Sequence, residues 1–534
     1  MEQGRLKKGQ KGARRYHIIT LGCQMNERDS ETVAGLIEGT GYVRAKDRDE
    51  ADIIVVNTCS VRDNADQKFF GILGQIKKLK EKNPDLITAV CGCMMQQVHV
   101  RERIAEKFAW VDIIFGPMSI HKFPELVEMA HGRKSAGKIA SPGKNYAAKT
   151  VNPAERDGNA AAKSAKIAAK DANAANAAAK DVKAAGKGVK AGGGIVLTDV
   201  AESMGDPVEG LPAIREFRHK AFVNIMYGCN NFCSYCIVPY TRGREVSRAP
   251  GRIIEEVRGL AENGTKEVTL LGQNVNSYAG FALDEESRSE GGVDDTGGKP
   301  VDLAALVLRL EGIGPLARIR FMTPHPKDLS DSLIGLYARR GKKLCPGIHL
   351  PVQSGSSRVL GLMNRQYDKA SYLKLIGKLR EADPDIVIST DLIVGFPGET
   401  EEDFEETMDL IERVRYDSAF TFIFSPRRGT PAASMDGQIP DEVKHRRFDR
   451  MVKRLNAITL EKNKAFIGEA FEVLIDGFSK NDDHVLSGRT PGGKLVNFAV
   501  PETLTVPERK ALTGELREVR VTDVNTFSFK GELV

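Results

Sequence analysis

Three cysteines fall within Gly228-Cys229-Asn230-Asn231-Phe232-Cys233-Ser234-Tyr235-Cys236, at CxxxCxxC spacing. Few folds accept such a string, because thiols so close in sequence must point into one small volume. Thiolates in so tight a loop can converge on one iron–sulfur cube. A [4Fe–4S] cube has four irons and the loop offers three ligands, so one iron is left for a ligand that is not protein. That arrangement suits catalysis better than electron relay. The alternatives are a zinc site or three buried structural thiols. Zinc wants a fourth Cys or His nearby. Between Phe217 and Arg244 only His219 is offered, upstream of the strand that leads into the loop.

A chain of 534 residues is too long for one core, and roughly three domains are expected. No apolar run approaches the ~20 residues that span a bilayer. Met1–Arg15 is basic and glycine-rich without an apolar h-region, so a cytoplasmic protein without membrane contact is expected. The net charge of +6 neither requires nor excludes a polyanionic partner. The eight cysteines are Cys23, Cys59, Cys91, Cys93, Cys229, Cys233, Cys236 and Cys345. In a reducing compartment they are not a disulfide framework, and their grouping favours metal or cluster ligation.

After a basic tail over 1–13, expected to be disordered, the chain alternates short apolar runs with amphipathic segments. This is the pattern of a parallel sheet flanked by helices. Strands are expected at Tyr16–Thr20, Asp52–Val56, Leu86–Val90 and Val111–Phe115, with helices at Ser30–Glu38, Asn64–Lys80 and Met94–Phe108. Cys23, Cys59 and Cys93 each lie just past one of the first three strands. Open α/β sheets bind ligands outside the carboxyl ends of their strands, so these thiols can meet to form a second three-cysteine site. Cys91, at the end of its strand, reads as a packed thiol. Three unrelated buried cysteines are the alternative. This first domain spans 14–130.

The range 131–214 is dominated by Ala, Lys, Asn, Asp and Gly and reads as a low-complexity linker. Asp284–Lys299 is acidic and glycine-rich and reads as a surface loop. Over 215–462 strand–helix alternation returns. Strands are expected at Phe222–Tyr227, Glu267–Leu271, Arg318–Thr323, Gly347–Val352, Ile386–Val394 and Ala419–Phe424. Six βα units suggest a partial (β/α)6 barrel with its site in the loops at the strand C-termini. The CxxxCxxC loop follows the first strand. Gln273 and Asn274 after the second, Ser354 after the fourth, and the Gly395–Glu399 turn after the fifth would share that mouth. Each can instead cap a following helix. Arg242 and Arg244 lie close enough to hold substrate phosphates. His325 and His349 read as packing or hydrogen-bonding residues. A charged helix over Asp441–Lys464 precedes 463–534, where five short strands suggest a small, oligonucleotide-binding type of β-barrel.

CxxxCxxC after the first strand of such a barrel resembles the radical S-adenosylmethionine superfamily. Both cysteine sets together, with a terminal β domain, resemble its methylthiotransferases. The strings that carry the resemblance are Leu21–Asn26, Asn224–Glu245, Leu271–Tyr278, His349–Ser356 and Asp391–Thr400. They are most similar to family members that act on N6-dimethylallyladenosine in tRNA. The resemblance implies two [4Fe–4S] clusters, one on Cys23, Cys59 and Cys93 for sulfur delivery, and one on Cys229, Cys233 and Cys236 with S-adenosylmethionine on its open iron. It also implies Tyr235, Gln273, Asn274, Ser354, Gly395 and Glu399 as S-adenosylmethionine contacts and a TRAM domain at the C-terminus. The implied partners are a tRNA bearing isopentenyl-adenosine at position 37 of the anticodon loop, an external electron donor and a sulfur donor; a monomer is expected. The competing readings are a sibling acting on threonylcarbamoyl-adenosine tRNA or a ribosomal protein, and a non-catalytic iron–sulfur RNA-binding redox sensor.

Overall fold

The structure is a computed structural model that describes residues 12–60, 63–139, 196–200, 208–281, 300–339, 341–479, 482–501 and 503–534. The expectations for most of the basic tail, most of the linker and the acidic loop lie outside those residues.

Six parallel strands make the N-terminal sheet: β1 (Arg15–Thr20), β2 (Val43–Arg44), β3 (Ile53–Thr58), β4 (Ile87–Gly92), β5 (Ile113–Phe115) and β6 (Leu197–Asp199), in the order β2-β1-β3-β4-β5-β6. Every residue of β3 and β4 is buried, as continuous apolar runs in a sheet covered on both faces must be. Val33 and Ile37 of helix α1 (Gln24–Glu38) join Phe123 and Leu126 in the core on one face. Phe69, Leu73, Val100 and Ile104 fill the other. The strand order reverses between β1 and β3, which opens a crevice at their carboxyl ends.

Three details differ from the sequence reading. Helix α1 starts at Gln24, not Ser30, with Cys23 at its N-cap and no side-chain cap to announce it. The range read as linker is ordered at both ends. The helix Phe123–Ile139 runs into it, and Leu197–Asp199 returns to pair with β5. A three-residue strand after an Ala/Lys tract carries too little periodicity to be recognised.

The central domain has six parallel strands at Lys220–Asn224, Glu267–Leu271, Arg318–Phe321, Gly347–His349, Val387–Val394 and Ser418–Ile423. They form two three-stranded sheets joined by one bridge, Ile319 to Leu344. Among the described residues the first and last strands do not pair, so the barrel is open along that side. The first strand stops at Asn224, and Met226–Tyr227 pairs with Val246–Ser247 instead. That separate ribbon lifts the cysteine loop away from the sheet.

The helix Asp441–Lys464 leads to a closed five-stranded barrel of Ala470–Ser479, Asp482–Arg489, Leu495–Ala499, Leu516–Val524 and Phe529–Leu533. This domain docks at the amino ends of the central strands, opposite the cysteine loop. Arg318 Nη1 donates to the Arg489 carbonyl at 2.9 Å, and its Nη2 donates to the Glu472 carbonyl. Arg320 donates to the carbonyls of Pro491 and Thr490 at 2.8 and 2.9 Å. Among the described residues no helix is long and apolar enough to cross a membrane.

Arg318→Ala leaves two carbonyls at this dock without a charged donor. It is expected to weaken the dock by about 2–3 kcal/mol, read as faster hydrogen exchange across Ala470–Leu533. Unchanged protection there would refute the docking role.

Candidate functional site

At the carboxyl ends of β1, β3 and β4, the structure brings Cys23, Cys59 and Cys93 together. Cys23 and Cys59 hydrogen-bond, and Cys93 feels the charge of Cys23. Two asparagines hold the first two loops in register. Asn26 Nδ2 donates to the Thr58 carbonyl at 2.7 Å, and Asn57 Nδ2 donates to the Asn26 carbonyl at 2.8 Å. Gly22 is required between them: at φ +123° a Cβ would sit 2.3 Å from Cys59 Cβ. Cys91 packs in the sheet core, as its position at the strand end suggested.

Cys229, Cys233 and Cys236 also converge: the charge of Cys233 is felt at Cys229, and that of both at Cys236. Gly228, at φ +75°, lets this loop turn against Arg244, whose carbonyl would lie 1.9 Å from a Cβ. The Asn364 side chain donates to the Phe232 carbonyl at 3.0 Å, and Ser234 donates to the Leu362 carbonyl at 2.8 Å. Phe232, Thr323, Gln353, Asn364 and Gln366 all have positive φ. Strained backbone of this kind persists where the surroundings fix it and clusters at functional sites.

One guanidinium serves each set. Arg365 is 5% exposed. Its Nη1 lies 3.5 Å from Cys233 Sγ and 3.4 Å from the Tyr235 hydroxyl, while Nη2 donates to the Pro351 carbonyl at 2.7 Å. Arg242 is 3% exposed, and Nε donates to Cys93 Sγ at 3.0 Å while Nη2 donates to Asp29 Oδ2 at 2.6 Å. This corrects the expectation that Arg242 holds substrate phosphate: its donors face a thiol and a carboxylate inside the protein. Arg244 is exposed and lies over the Phe232 ring at 4.2 Å.

Burial raises Cys229 to about 11 and Cys236 to about 12. Cys93 is raised by burial against the pull of Arg242. Cys23 goes the other way. The Cys59 hydrogen bond brings it down to about 6 against burial, helped by Arg242 and by the amides of Asn26 and Met25.

The other candidate residues divide. Gln273 meets Met25 Sδ across the domain boundary. Asn274 donates to Asp328 at 2.9 Å and Glu245 at 3.1 Å. Gln273 Oε1, Asn274 Oδ1 and His325 Nε2 are buried without a protein partner, which asks for a bound group or water. His325 Nδ1 accepts from the Lys327 amide at 3.2 Å, which puts the proton on Nε2, and burial lowers its pKa to about 2. Tyr235 meets Phe396 edge-on at 6.5 Å, next to Gly395. Ser354 is engaged with Thr407, and Glu399 binds the Gly395 amide and Arg447 at 3.1 and 2.8 Å.

Each set offers three buried or half-buried thiols beside one guanidinium, a donor set that suits iron–sulfur chemistry. Among the described residues no three Cys, His, Asp or Glu side chains are placed to hold a single metal ion. Residues that the sequence reading missed are Asp29, Arg365, Asn26 and Asn57. One signal was available: a Gly-Cys dipeptide at Gly22-Cys23, Gly92-Cys93 and Gly228-Cys229.

A cavity of about 990 Å³ runs between all three domains, with Ile18, Glu27, Lys220, His349 and Lys494 in its walls. Phe217, Phe420 and Phe527 line it and are 39%, 58% and 79% exposed.

Residues 15–116 match the uncharacterized protein family UPF0004, 223–411 the radical SAM superfamily and 464–534 the TRAM domain. A tRNA-2-methylthio-N(6)-dimethylallyladenosine synthase of Clostridium perfringens is 45% identical over 519 residues, 97% of each chain. Proteins of the same name are 48% identical in Caldicellulosiruptor saccharolyticus, over 90% of this chain and 86% of that one, and 43% identical in Alkaliphilus oremlandii, over 98% and 93%.

In protein prepared without iron, iodoacetamide should label Cys23 first, its rate rising with a midpoint near pH 6, because the thiolate is the nucleophile. Cys229 and Cys236 should stay inert until the solution is strongly alkaline. Peptide mass spectrometry across pH checks the order; Cys229 reacting first would contradict it.

Proposed function

Because the chain belongs to the tRNA-2-methylthio-N(6)-dimethylallyladenosine synthase family, we propose that it replaces a hydrogen of a tRNA base with a methylthio group. The base is N6-dimethylallyladenosine at position 37 of the anticodon loop, and the hydrogen is the one on C2. The observation that carries the reading is 45% identity over 97% of the chain, with two three-thiol sets brought to one domain boundary. An unactivated aromatic C–H resists ordinary nucleophiles, which is why radical chemistry is required.

When bound, S-adenosylmethionine on a reduced [4Fe–4S] cluster supplies a 5′-deoxyadenosyl radical, and a second cluster supplies the site for sulfur. Cys229, Cys233 and Cys236 would hold the first, and Cys23, Cys59 and Cys93 the second. Arg365 gives the first set a buried donor. Tyr235 and the Gly395 turn form one wall of the mouth, and Gln273, Asn274 and His325 direct unpartnered polar atoms within it. Ser354 and Glu399 fix the neighbouring turns through Thr407 and Arg447. A separate S-adenosylmethionine would give up its methyl to the sulfur, and reductant and sulfur donor come from outside the chain.

The cavity supports an RNA substrate. Exposed aromatics are the usual platforms for unpaired bases, and here the connecting segment, the central barrel and the TRAM domain contribute one each. Arg244, exposed beside Phe232 of the cysteine loop, would meet phosphate there.

The first test is an anaerobic assay of reconstituted protein with dithionite, S-adenosylmethionine and tRNA bearing isopentenyl-adenosine, read by nucleoside mass spectrometry. A methylthio mass gain on that nucleoside is expected. 5′-Deoxyadenosine without the gain would point to a sibling substrate, and neither product to a non-catalytic protein. Cys229→Ala should abolish 5′-deoxyadenosine formation, whereas Cys59→Ala should retain it and lose thiolation. Thiolation surviving in Cys59→Ala would refute the division of labour.

Phe420→Ala and Phe527→Ala should each raise KM for tRNA about tenfold, in keeping with the loss of one stacked base. 5′-Deoxyadenosine formation without tRNA should be unchanged. An unaltered KM in both would remove this groove from the RNA path.

A further inference from the structure

The two cysteine sets belong to different domains, yet one side chain ties them together. Arg242 caps the short helix Val238–Thr241, which begins two residues beyond Cys236. Its guanidinium leaves the central domain, is 3% exposed, and hydrogen-bonds Cys93 at 3.0 Å and Asp29 at 2.6 Å in the N-terminal domain. Asp29, itself 6% exposed, projects from α1, which begins immediately after Cys23.

The two sites therefore differ in charge. Arg365 beside Cys233 is met by neutral partners: the Pro351 carbonyl and the Tyr367 and Tyr235 hydroxyls. Arg242 beside Cys93 is partly neutralised by a carboxylate. Reduction adds negative charge to a cluster, and hydrogen bonds to its cysteine sulfurs and nearby charge set how readily that charge is accepted.

We propose that Arg242 is a positioning residue that raises the reduction potential of a cluster held by Cys23, Cys59 and Cys93, and that Asp29 holds that rise in check. The inference rests on the two-cluster reading above. Because Arg242 is carried by the loop of the other set, the sulfur site has its final electrostatics only when the two domains are docked. Removing the guanidinium lowers the potential, and removing the carboxylate raises it. A purely structural role for the pair cannot produce opposite shifts.

The test uses full-length protein with Cys229, Cys233 and Cys236 all replaced by Ala, so that one cluster remains, titrated potentiometrically with EPR detection. In that background Arg242→Gln should lower the potential, and Asp29→Asn should raise it. Each shift should be at least tenfold in the oxidised-to-reduced ratio, 59 mV for one electron. Arg242→Gln leaves Asp29 buried and unpaired. The Arg242→Gln/Asp29→Asn double variant, free of that penalty, should still lie below Asp29→Asn. A cluster present with an unmoved potential, or moved the same way by both single changes, overturns the role of Arg242. If the triple-Ala protein binds no cluster while wild type binds one, the two-cluster reading falls and takes the inference with it.

Discussion

A thiolate taken out of water needs compensation, and the structure is arranged around supplying it to six sulfurs at one domain boundary. Burial above all, with the charge of neighbouring thiols, pushes Cys229 and Cys236 to about 11 and 12, so as free thiols they would stay protonated near neutrality. Metal binding reverses this, since coordination deprotonates the thiol outright. A buried guanidinium completes the compensation at each set, Arg242 at one and Arg365 at the other. The two are not equivalent, because only Arg242 shares its charge with a carboxylate.

Placing Arg242 requires that the domains dock in one register, and an ionic network across the boundary provides it. Arg215, just before the first barrel strand, pairs with Glu31 of α1 at 2.9 Å and with Glu256 at 2.7 Å. Arg248 reaches Glu256 at 2.9 Å as well. Burial pushes the Glu256 carboxyl up, but Arg248, Arg28 and Arg215 together hold it below its usual value. Half-buried networks of this kind contribute less to stability than to geometry, since desolvation offsets much of the attraction. Their effect here is orientation: α1 carries Asp29 and Glu31 two residues apart within one turn, so pairing at Glu31 fixes the rotation of the helix at which Asp29 meets Arg242.

The placement of the thiols was legible in the sequence because parallel sheets have a fixed grammar. Every strand delivers its carboxyl end to the same edge, so cysteines just past β1, β3 and β4 must be neighbours whatever separates them in sequence. The six-stranded barrel and the terminal β domain were legible for a similar reason, from hydrophobic period alone. The destination of Arg242 was not. Six residues beyond a cysteine, an arginine near phosphates and an arginine buried in the other domain read alike; only the docking distinguishes them. Arg365 and Asp29 escaped notice because they carry no local signature, and their roles come from contacts 132 and 213 residues away in sequence. The Gly-Cys dipeptides could have been read. A glycine directly before a cysteine at three strand or loop ends marks backbone that must turn where a side chain would collide.

The Ala/Lys-rich range interrupts a domain rather than separating two. The chain leaves the N-terminal sheet in the helix ending at Ile139 and returns at Leu197 to add a parallel strand beside Ile113–Phe115. What the return must preserve is the path beyond it. Ile214 donates to the Glu31 carbonyl at 2.9 Å, and the chain at Pro212 lies so close to Gly35 that a Cβ there would be 2.5 Å from it. The segment entering the barrel is therefore laid against α1 before the first barrel strand begins. The same helix thus receives the connecting chain on one face and Arg242 on another.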